Sequence, residues 1–223
     1  MPAGGAPTTL AESAQLLETM RLEQGRVPLL RRHLGRLEAS AQALGFVRER
    51  LHATVCEAVR ARATALEAGV YRLRLLYARD GAVRLTSEPL VAAPLRVVAV
   101  WPEPFAEAGT ARCRHKTTDR THYEIPYAWA RSAGADEALL ADANGFLIEG
   151  TRTSVWLRLG DRLCTPPLEA GGLPGVARAH LLATRADAEE RPLHLDDLAR
   201  ADAVFASNAL HGLRRVGEVR SAA

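Results

Sequence analysis

The chain has 223 residues, 48% hydrophobic and 25% charged, enough to bury a substantial core as one large domain or two small ones. The net charge is +3, with the 29 basic residues interleaved among 26 acidic ones, which argues against a nucleic-acid surface. No apolar run approaches the roughly 20 residues of a membrane span, and Cys56, Cys113 and Cys164 form neither a CxxC pair nor a set with histidine at ligand spacing, so disulfides and metal sites are not expected.

Met1 to Ala14 lacks the basic and apolar segments of a signal peptide, and its Gly, Ala, Pro and Thr content predicts a disordered leader over 1–14 of a cytoplasmic protein. Leu16 to Leu22 reads as a strand. Leu30, Leu34, Leu37, Ala41 and Leu44 recur at helical spacing, with Pro28 suited to the first turn and Gly45 to the exit. Val47, Leu51, Val55 and Val59 predict a second helix running toward Gly69. Tyr71 to Tyr77 alternates, Asp80-Gly81 signals a hairpin, and Val83 to Ser87 is the returning strand. Leu95 to Trp101 reads as a third strand, giving helices packed on a small antiparallel sheet.

Pro102 to Gly109 is the best linker, dividing a small α/β unit over 15–104 from a larger β-rich unit over 110–223. In the second unit a helix around Tyr123 to Ser132 contains Pro126 and must begin late or kink. Glu137 to Ala141 and Phe146 to Glu149 flank Asn144-Gly145, and Ser154 to Leu159 pairs with Arg162 to Thr165 across Gly160-Asp161. Gly171, Gly172, Pro174 and Gly175 form a loop feeding a helix from Val176 to Thr184. A last strand near Ala203 to Ser207 follows.

Of the 29 basic residues 28 are arginine, and Lys116 is the only lysine. Lysine can lose its proton and form a Schiff base with a carbonyl compound, which arginine cannot. Its neighbours Arg112, Arg114, His115 and Arg120 would favour the neutral amine, although a solvated basic loop is the alternative. The 171–175 loop ahead of a helix offers free N–H groups and a positive dipole end to an anion. Glu149 ends an apolar strand, and turned inward it would need a cationic or N–H partner. A lysine, an anion cradle and an inward acid are the three parts that hold pyridoxal 5'-phosphate.

The chain resembles the fold-type IV pyridoxal-phosphate enzymes, a group that includes branched-chain and D-amino acid aminotransferases and aminodeoxychorismate lyases. The resemblance is carried by His33-x-x-Arg36-Leu37, His115-Lys116-Thr117-Thr118-x-Arg120, Asn144-Gly145-x-x-x-Glu149-Gly150-Thr151, Thr165-Pro166-Pro167, Leu173-Pro174-Gly175-x-x-Arg178 and Ser207-Asn208-Ala209-Leu210, in the family's order over about residues 16 to 216. It implies an α+β fold of two domains with the cofactor in the cleft. It makes Lys116 the lysine that takes the cofactor's aldehyde, Glu149 the partner of the pyridine nitrogen and Arg36 a phosphate ligand. Val176 and Ala177 would give N–H groups to the phosphate, with Ser207 and Asn208 beside it.

The His-Lys-Thr-Thr run, Glu18-Thr19-Met20-Arg21 and the Asn-Ala-Leu run are most similar to aminodeoxychorismate lyases, particularly the lyase domain fused to aminodeoxychorismate synthase. The reading is therefore a lyase that releases 4-aminobenzoate and pyruvate, with Arg21, Arg120 and Arg152 as candidate carboxylate clamps. The alternatives are a branched-chain or D-amino acid aminotransferase, and an arginine-rich binding protein without cofactor chemistry. The resemblance also implies a homodimer and leaves open a separately encoded synthase partner. Ser154 stands where the family usually has Asn and Trp156 where Phe is common, and the chain enters at Leu16 as the fused domains do.

Overall fold

The computed structural model describes residues 10–91 and 95–221. Of the expected leader, residues 1–9 lie outside the described residues, while Ala14 is buried.

Strand β1 (Leu16–Glu23) buries Leu16, Glu18, Met20 and Leu22 on one face, the period of two expected of a strand. Helix α1 (Leu30–Ala43) covers that face through His33, Leu34, Leu37, Ser40 and Ala41 and ends before Gly45, whose φ of +70° suits glycine. Pro28 lies just ahead of the helix rather than in its first turn: it sits in a tight turn in which the Leu30 N–H bonds the Val27 carbonyl at 3.2 Å. Helix α2 (Leu51–Ala65) packs through Leu51, Val55 and Val59. It starts after Val47 because the Val47 N–H is taken by the Arg79 carbonyl at 2.9 Å, and Arg50, with φ +57°, breaks the helical path between them. Strands β2 (Val70–Tyr77) and β3 (Val83–Pro89) complete an antiparallel sheet with β1 in the order β1-β2-β3, β2 in the middle. Leu73, Leu75 and Tyr77 close the first core against both helices.

Strand β4 (Val97–Val100) does not extend this sheet, contrary to the sequence expectation. It runs parallel to strand β5 and to the last strand of the chain, inside a second sheet. Its physical reason is the side-chain pattern: Val98, Ala99 and Val100 are all buried, and a strand apolar on both faces belongs in a covered, parallel position. The expected linker 102–109 is likewise packed: Phe105 is buried and its N–H bonds the Ala141 carbonyl at 2.8 Å, while the Gly109 N–H bonds the Gly171 carbonyl at 2.9 Å.

The short helix α3 (Ala111–Arg114) precedes α4 (Thr121–Ser132), which starts ahead of Pro126 and runs through it. Strands β5 (Glu137–Ala141) and β6 (Leu147–Gly150) form the Asn144-Gly145 hairpin, and β7 (Ser154–Leu159) and β8 (Arg162–Thr165) form the next. Helix α5 (Val176–Thr184) is followed by β9 (Ala188–Glu190), α6 (Asp197–Arg200), β10 (Ala203–Asn208), β11 (Gly212–Arg215) and β12 (Glu218–Arg220). The second half thus holds a four-stranded sheet ordered β12-β4-β5-β6 and a five-stranded sheet ordered β11-β10-β7-β8-β9. Val98, Leu139, Leu147, Val155, Leu157 and Ala206 are buried between them in one apolar cluster. Strands β9, β11 and β12 carry no sequence signal because three or four residues are too few for alternation to show.

Candidate active site

Lys116 lies in the extended segment between α3 and α4, and that segment is zipped to the start of β1. The Leu17 N–H bonds the Lys116 carbonyl at 2.8 Å and the Thr118 N–H bonds the Gln15 carbonyl at 2.9 Å. His115 adds a side-chain tie to Ser40 of α1, Nδ1 to Oγ, at 3.0 Å. The Lys116 backbone is therefore held from both halves of the fold. Burial, then the nearby charges of Arg120 and Arg36, lower its amine to about 7, while Glu18 and Glu149 oppose the shift. The expected cause was its sequence neighbours, and here the structure differs. Of these, only Arg120 acts on the amine in the expected way: Arg112 is paired with Asp119 at 2.7 Å, and Arg114 is exposed and bonds the Gly109 carbonyl.

Glu149 turns inward from the last turn of β6 and is 6% exposed. Its Oε1 accepts the Tyr123 hydroxyl at 2.5 Å and the Leu173 N–H at 3.1 Å. Burial raises its carboxyl to about 7 against the stabilising pull of those donors, Arg120 and Lys116. A Cβ on Gly172 would come within 3.2 Å of this carboxyl, so glycine is what lets the 171–175 loop close over it.

Arg36, on α1, forms a two-pronged pair with Glu18 of β1, at 2.8 Å and 2.6 Å, and gives a third N–H to the Pro174 carbonyl at 3.1 Å. The second Glu18 oxygen also meets His33 Nδ1 at 2.6 Å. Glu18 is 2% exposed, and although burial acts to raise its carboxyl, Arg36 and His33 outweigh it and hold it down at about 2. The sequence reading missed this role for Glu18. The signal was present, since an acid sits between Leu16 and Met20 on the buried face of a strand, and such an acid needs cationic partners.

Val176 and Ala177 are both buried at the N-terminus of α5, where no side chain caps the first N–H groups. Gly175 precedes them, and a Cβ there would meet Ser154 Oγ at 2.7 Å. Ser207 is buried and accepts the Trp156 indole N–H at 2.8 Å, which ties the two departures from the family pattern on β7 to the same neighbourhood. Asn208 turns its Oδ1 to the N–H groups of Leu210 and His211, shaping the turn after β10.

The three candidate clamp arginines are not equivalent. Arg120 is close enough to influence both Lys116 and Glu149, bonds the Thr151 carbonyl at 2.8 Å and lies 4.9 Å from the centroid of the Tyr123 ring. Arg152 stacks on Tyr127 at 3.6 Å, with its N–H held by Glu137. Arg21 bonds Glu23 and the Leu210 carbonyl, so it joins β1 to the turn beyond β10. Glu137, also unforeseen as a site-shaping residue, is buried beneath the 150–153 turn and accepts from Thr151, Thr153 and two backbone N–H groups. Among the described residues there is no cluster of groups able to hold a metal ion.

A family model described as amino-transferase class IV matches residues 15–219. Among solved structures the chain is similar to a candidate amino-acid aminotransferase from Mesorhizobium loti, 34% identical, covering 92% of this chain and 100% of that one with a TM-score of 0.79. It is also similar to a candidate 4-amino-4-deoxychorismate lyase from Legionella pneumophila, 25% identical, covering 98% of this chain and 88% of that one with a TM-score of 0.77. The branched-chain-amino-acid aminotransferase-like protein 2 of Arabidopsis thaliana is 25% identical over 91% of this chain, which spans 40% of that protein's length.

Proposed function

Because the chain belongs to the class IV amino-transferase family, whose enzymes work through pyridoxal 5'-phosphate, we propose that it is a 4-amino-4-deoxychorismate lyase, releasing 4-aminobenzoate and pyruvate. The observation that carries a pyridoxal-phosphate site is the only lysine of the chain, its amine lowered to about 7, within electrostatic reach of a buried glutamate. The lyase rather than the aminotransferase is supported by the His115-Lys116-Thr117-Thr118-x-Arg120 run, and by the likeness to the Legionella protein.

The residues fit the cofactor. Lys116 supplies the amine for its aldehyde, and Glu149 the acceptor for its ring nitrogen. Val176 and Ala177 offer uncapped N–H groups, with Arg36, Ser207 and Asn208 beside them, to the phosphate. Glycine at 172 and 175 lets the loop lie close against Glu149 and Ser154, where a Cβ would come within 3.2 Å and 2.7 Å of them. When bound, the cofactor supplies an electron-accepting ring joined to the substrate nitrogen.

The chain's own residues do the rest. Burial brings the Lys116 amine down to about 7, within reach of its free base at neutral pH, so Lys116 can take the proton from the amine-bearing carbon and return one later. Glu149 keeps a proton at the ring nitrogen, and Arg120 pairs with a substrate carboxylate next to Lys116. With that proton on Lys116, the adjacent ring C–O bond breaks and the side chain leaves as enolpyruvate, which takes a proton on its methylene carbon to become pyruvate, while the ring left behind is aromatic. Arg152 and Arg21 serve as outer candidates for the second carboxylate. This reading carries a homodimer in the cytoplasm, acting on a free small molecule with any synthase encoded separately. No described helix is long and apolar enough to cross a membrane.

Likeness to the Mesorhizobium protein favours a second reading, an amino-acid aminotransferase, for which branched-chain or D-amino acids are the candidates. Family membership sets aside a binding protein without enzymatic chemistry. The test is to incubate the purified, pyridoxal-phosphate-loaded protein with aminodeoxychorismate and no keto acid. Release of pyruvate and 4-aminobenzoate is expected; transfer that needs a keto-acid acceptor, with no pyruvate formed, would establish the second reading instead. Borohydride should fix the cofactor to the peptide containing Lys116, and a colourless protein that gains no absorbance from added cofactor would end both readings.

A further inference from the structure

We propose that Tyr123 is the positioning residue of Glu149, its phenol aiming the acid and supporting its charge. The inference rests on the reading that Glu149 partners the cofactor's ring nitrogen, and adds a residue which neither the sequence motifs nor the family match assigns.

The geometry is specific. Oε1 of Glu149 takes both available donors, the Tyr123 hydroxyl at 2.5 Å and the Leu173 N–H at 3.1 Å, and no hydrogen bond among the described residues reaches Oε2. One oxygen is thus pinned and the other left for a ligand. A phenol has one hydrogen, and Tyr123 gives it to Glu149. Burial raises the Tyr123 phenol well above its ordinary value, so it keeps its hydrogen over the working range and gives it to Glu149.

The phenol cannot swing away. Tyr123 is 4% exposed, stacked on Phe105 at 5.6 Å and tilted against His122 at 4.1 Å, with the Arg120 guanidinium 4.9 Å from its ring centroid. The charged and titratable groups facing Glu149 are Lys116, Arg120 and Tyr123, with Cys113 and His122 behind the phenol. Burial lowers His122 to about 4, so it is neutral and adds no competing charge at pH 7.

Tyr123→Phe keeps the ring stack and deletes only the donor. Two quantities are read on purified protein: the dissociation constant for pyridoxal 5'-phosphate added to the apo form, and the pH midpoint of the bound cofactor's visible band. The variant is expected to melt within a few degrees of wild type, to bind about tenfold more weakly through loss of one charge-assisted bond, and to move the midpoint downward, because a less charged Glu149 holds a proton on the cofactor less well. Phe105→Leu, which loosens the stack that holds the phenol, should shift both in the same direction by less, and carries the test if Tyr123→Phe does not fold.

Weakened binding with an unmoved midpoint would mean that Tyr123 only packs, and would overturn the proposal. So would wild-type values for both readouts in Tyr123→Phe or, where that variant does not fold, in Phe105→Leu. Glu149→Gln separates the levels: wild-type behaviour there sinks the role of Glu149 itself, whereas a defect there beside a silent Tyr123→Phe sinks only the present inference.

Discussion

Lys116 and Glu149 are driven toward the same pH from opposite sides, the amine down from 10.5 and the carboxyl up from 4.5, each to about 7, and burial is the first cause of both. The consequences for stability have opposite signs. Between about 7 and 10.5 the unfolded chain carries a proton on Lys116 that the folded chain does not, so stability rises with pH there, by at most about 1.4 kcal/mol per pH unit. Between 4.5 and about 7 the folded chain holds a proton on Glu149 that the unfolded chain has lost, so that contribution falls as pH rises. The two groups together therefore place a stability minimum near neutrality in the cofactor-free protein. Lys116→Met should remove the rise, and urea titrations at pH 7.5 and 9.5 would show it as convergence of the two midpoints. An unchanged alkaline slope in that variant would refute the lowered amine. The residue itself was legible in the sequence from its solitude, but the charges acting on it were only partly so. Arg120 is four positions away, whereas Arg36, Glu18 and Glu149 reach it only through the fold.

At the scale of elements, the loop from Gly171 to Gly175 joins Glu149 to the N-terminus of α5. Its first residue has φ +95°, and a Cβ there would lie 2.2 Å from the Gly109 backbone nitrogen. Gly171→Ala is thus strained twice, by conformation and by a collision with backbone that cannot move aside. It should cost about 2 kcal/mol or more and weaken cofactor binding, since Leu173 and Pro174 in the same loop bond Glu149 and Arg36. Gly160→Ala is the control: φ is +57° with nothing within 4 Å, so only the conformational cost of about 1 kcal/mol is expected and binding should be untouched. Thermal melts and cofactor titrations of the pair decide it, and equal effects from both variants would contradict the close approach. The two hairpins of the second half and α5 follow from the Asn-Gly, Gly-Asp and glycine-loop signals almost residue for residue. The position of β4 does not, because its apolar run identifies a covered strand without saying which sheet covers it.

Across the whole molecule, the two halves are joined by backbone pairing of β1 with the Lys116 segment and by side-chain ties that include Arg36 to Pro174, Arg21 to Leu210, His115 to Ser40 and Thr118 to the Gln15 N–H. Glu18 anchors the first of these. Glu18→Ala would leave the Arg36 charge and His33 without their buried partner, at a cost of about 3–5 kcal/mol, which for a chain of this length lowers Tm by roughly 10 °C. Calorimetry should show one transition moving as a unit, since the tie spans both halves; a loss below about 1 kcal/mol would mean that the pair behaves as a surface ion pair. The sequence by itself determined the α+β class and most of the elements, and it singled out the lone lysine, the strand-end acid and the glycine loop as candidates, because each is written in a short motif whose chemistry is local. Only the tertiary structure decided that Glu18 holds Arg36, that Tyr123 holds Glu149 and that β4 and β12 sit together. Those contacts join residues 18, 26 and about 120 positions apart, and which distant groups meet is settled by how the sheets and helices pack, not by spacing along the chain.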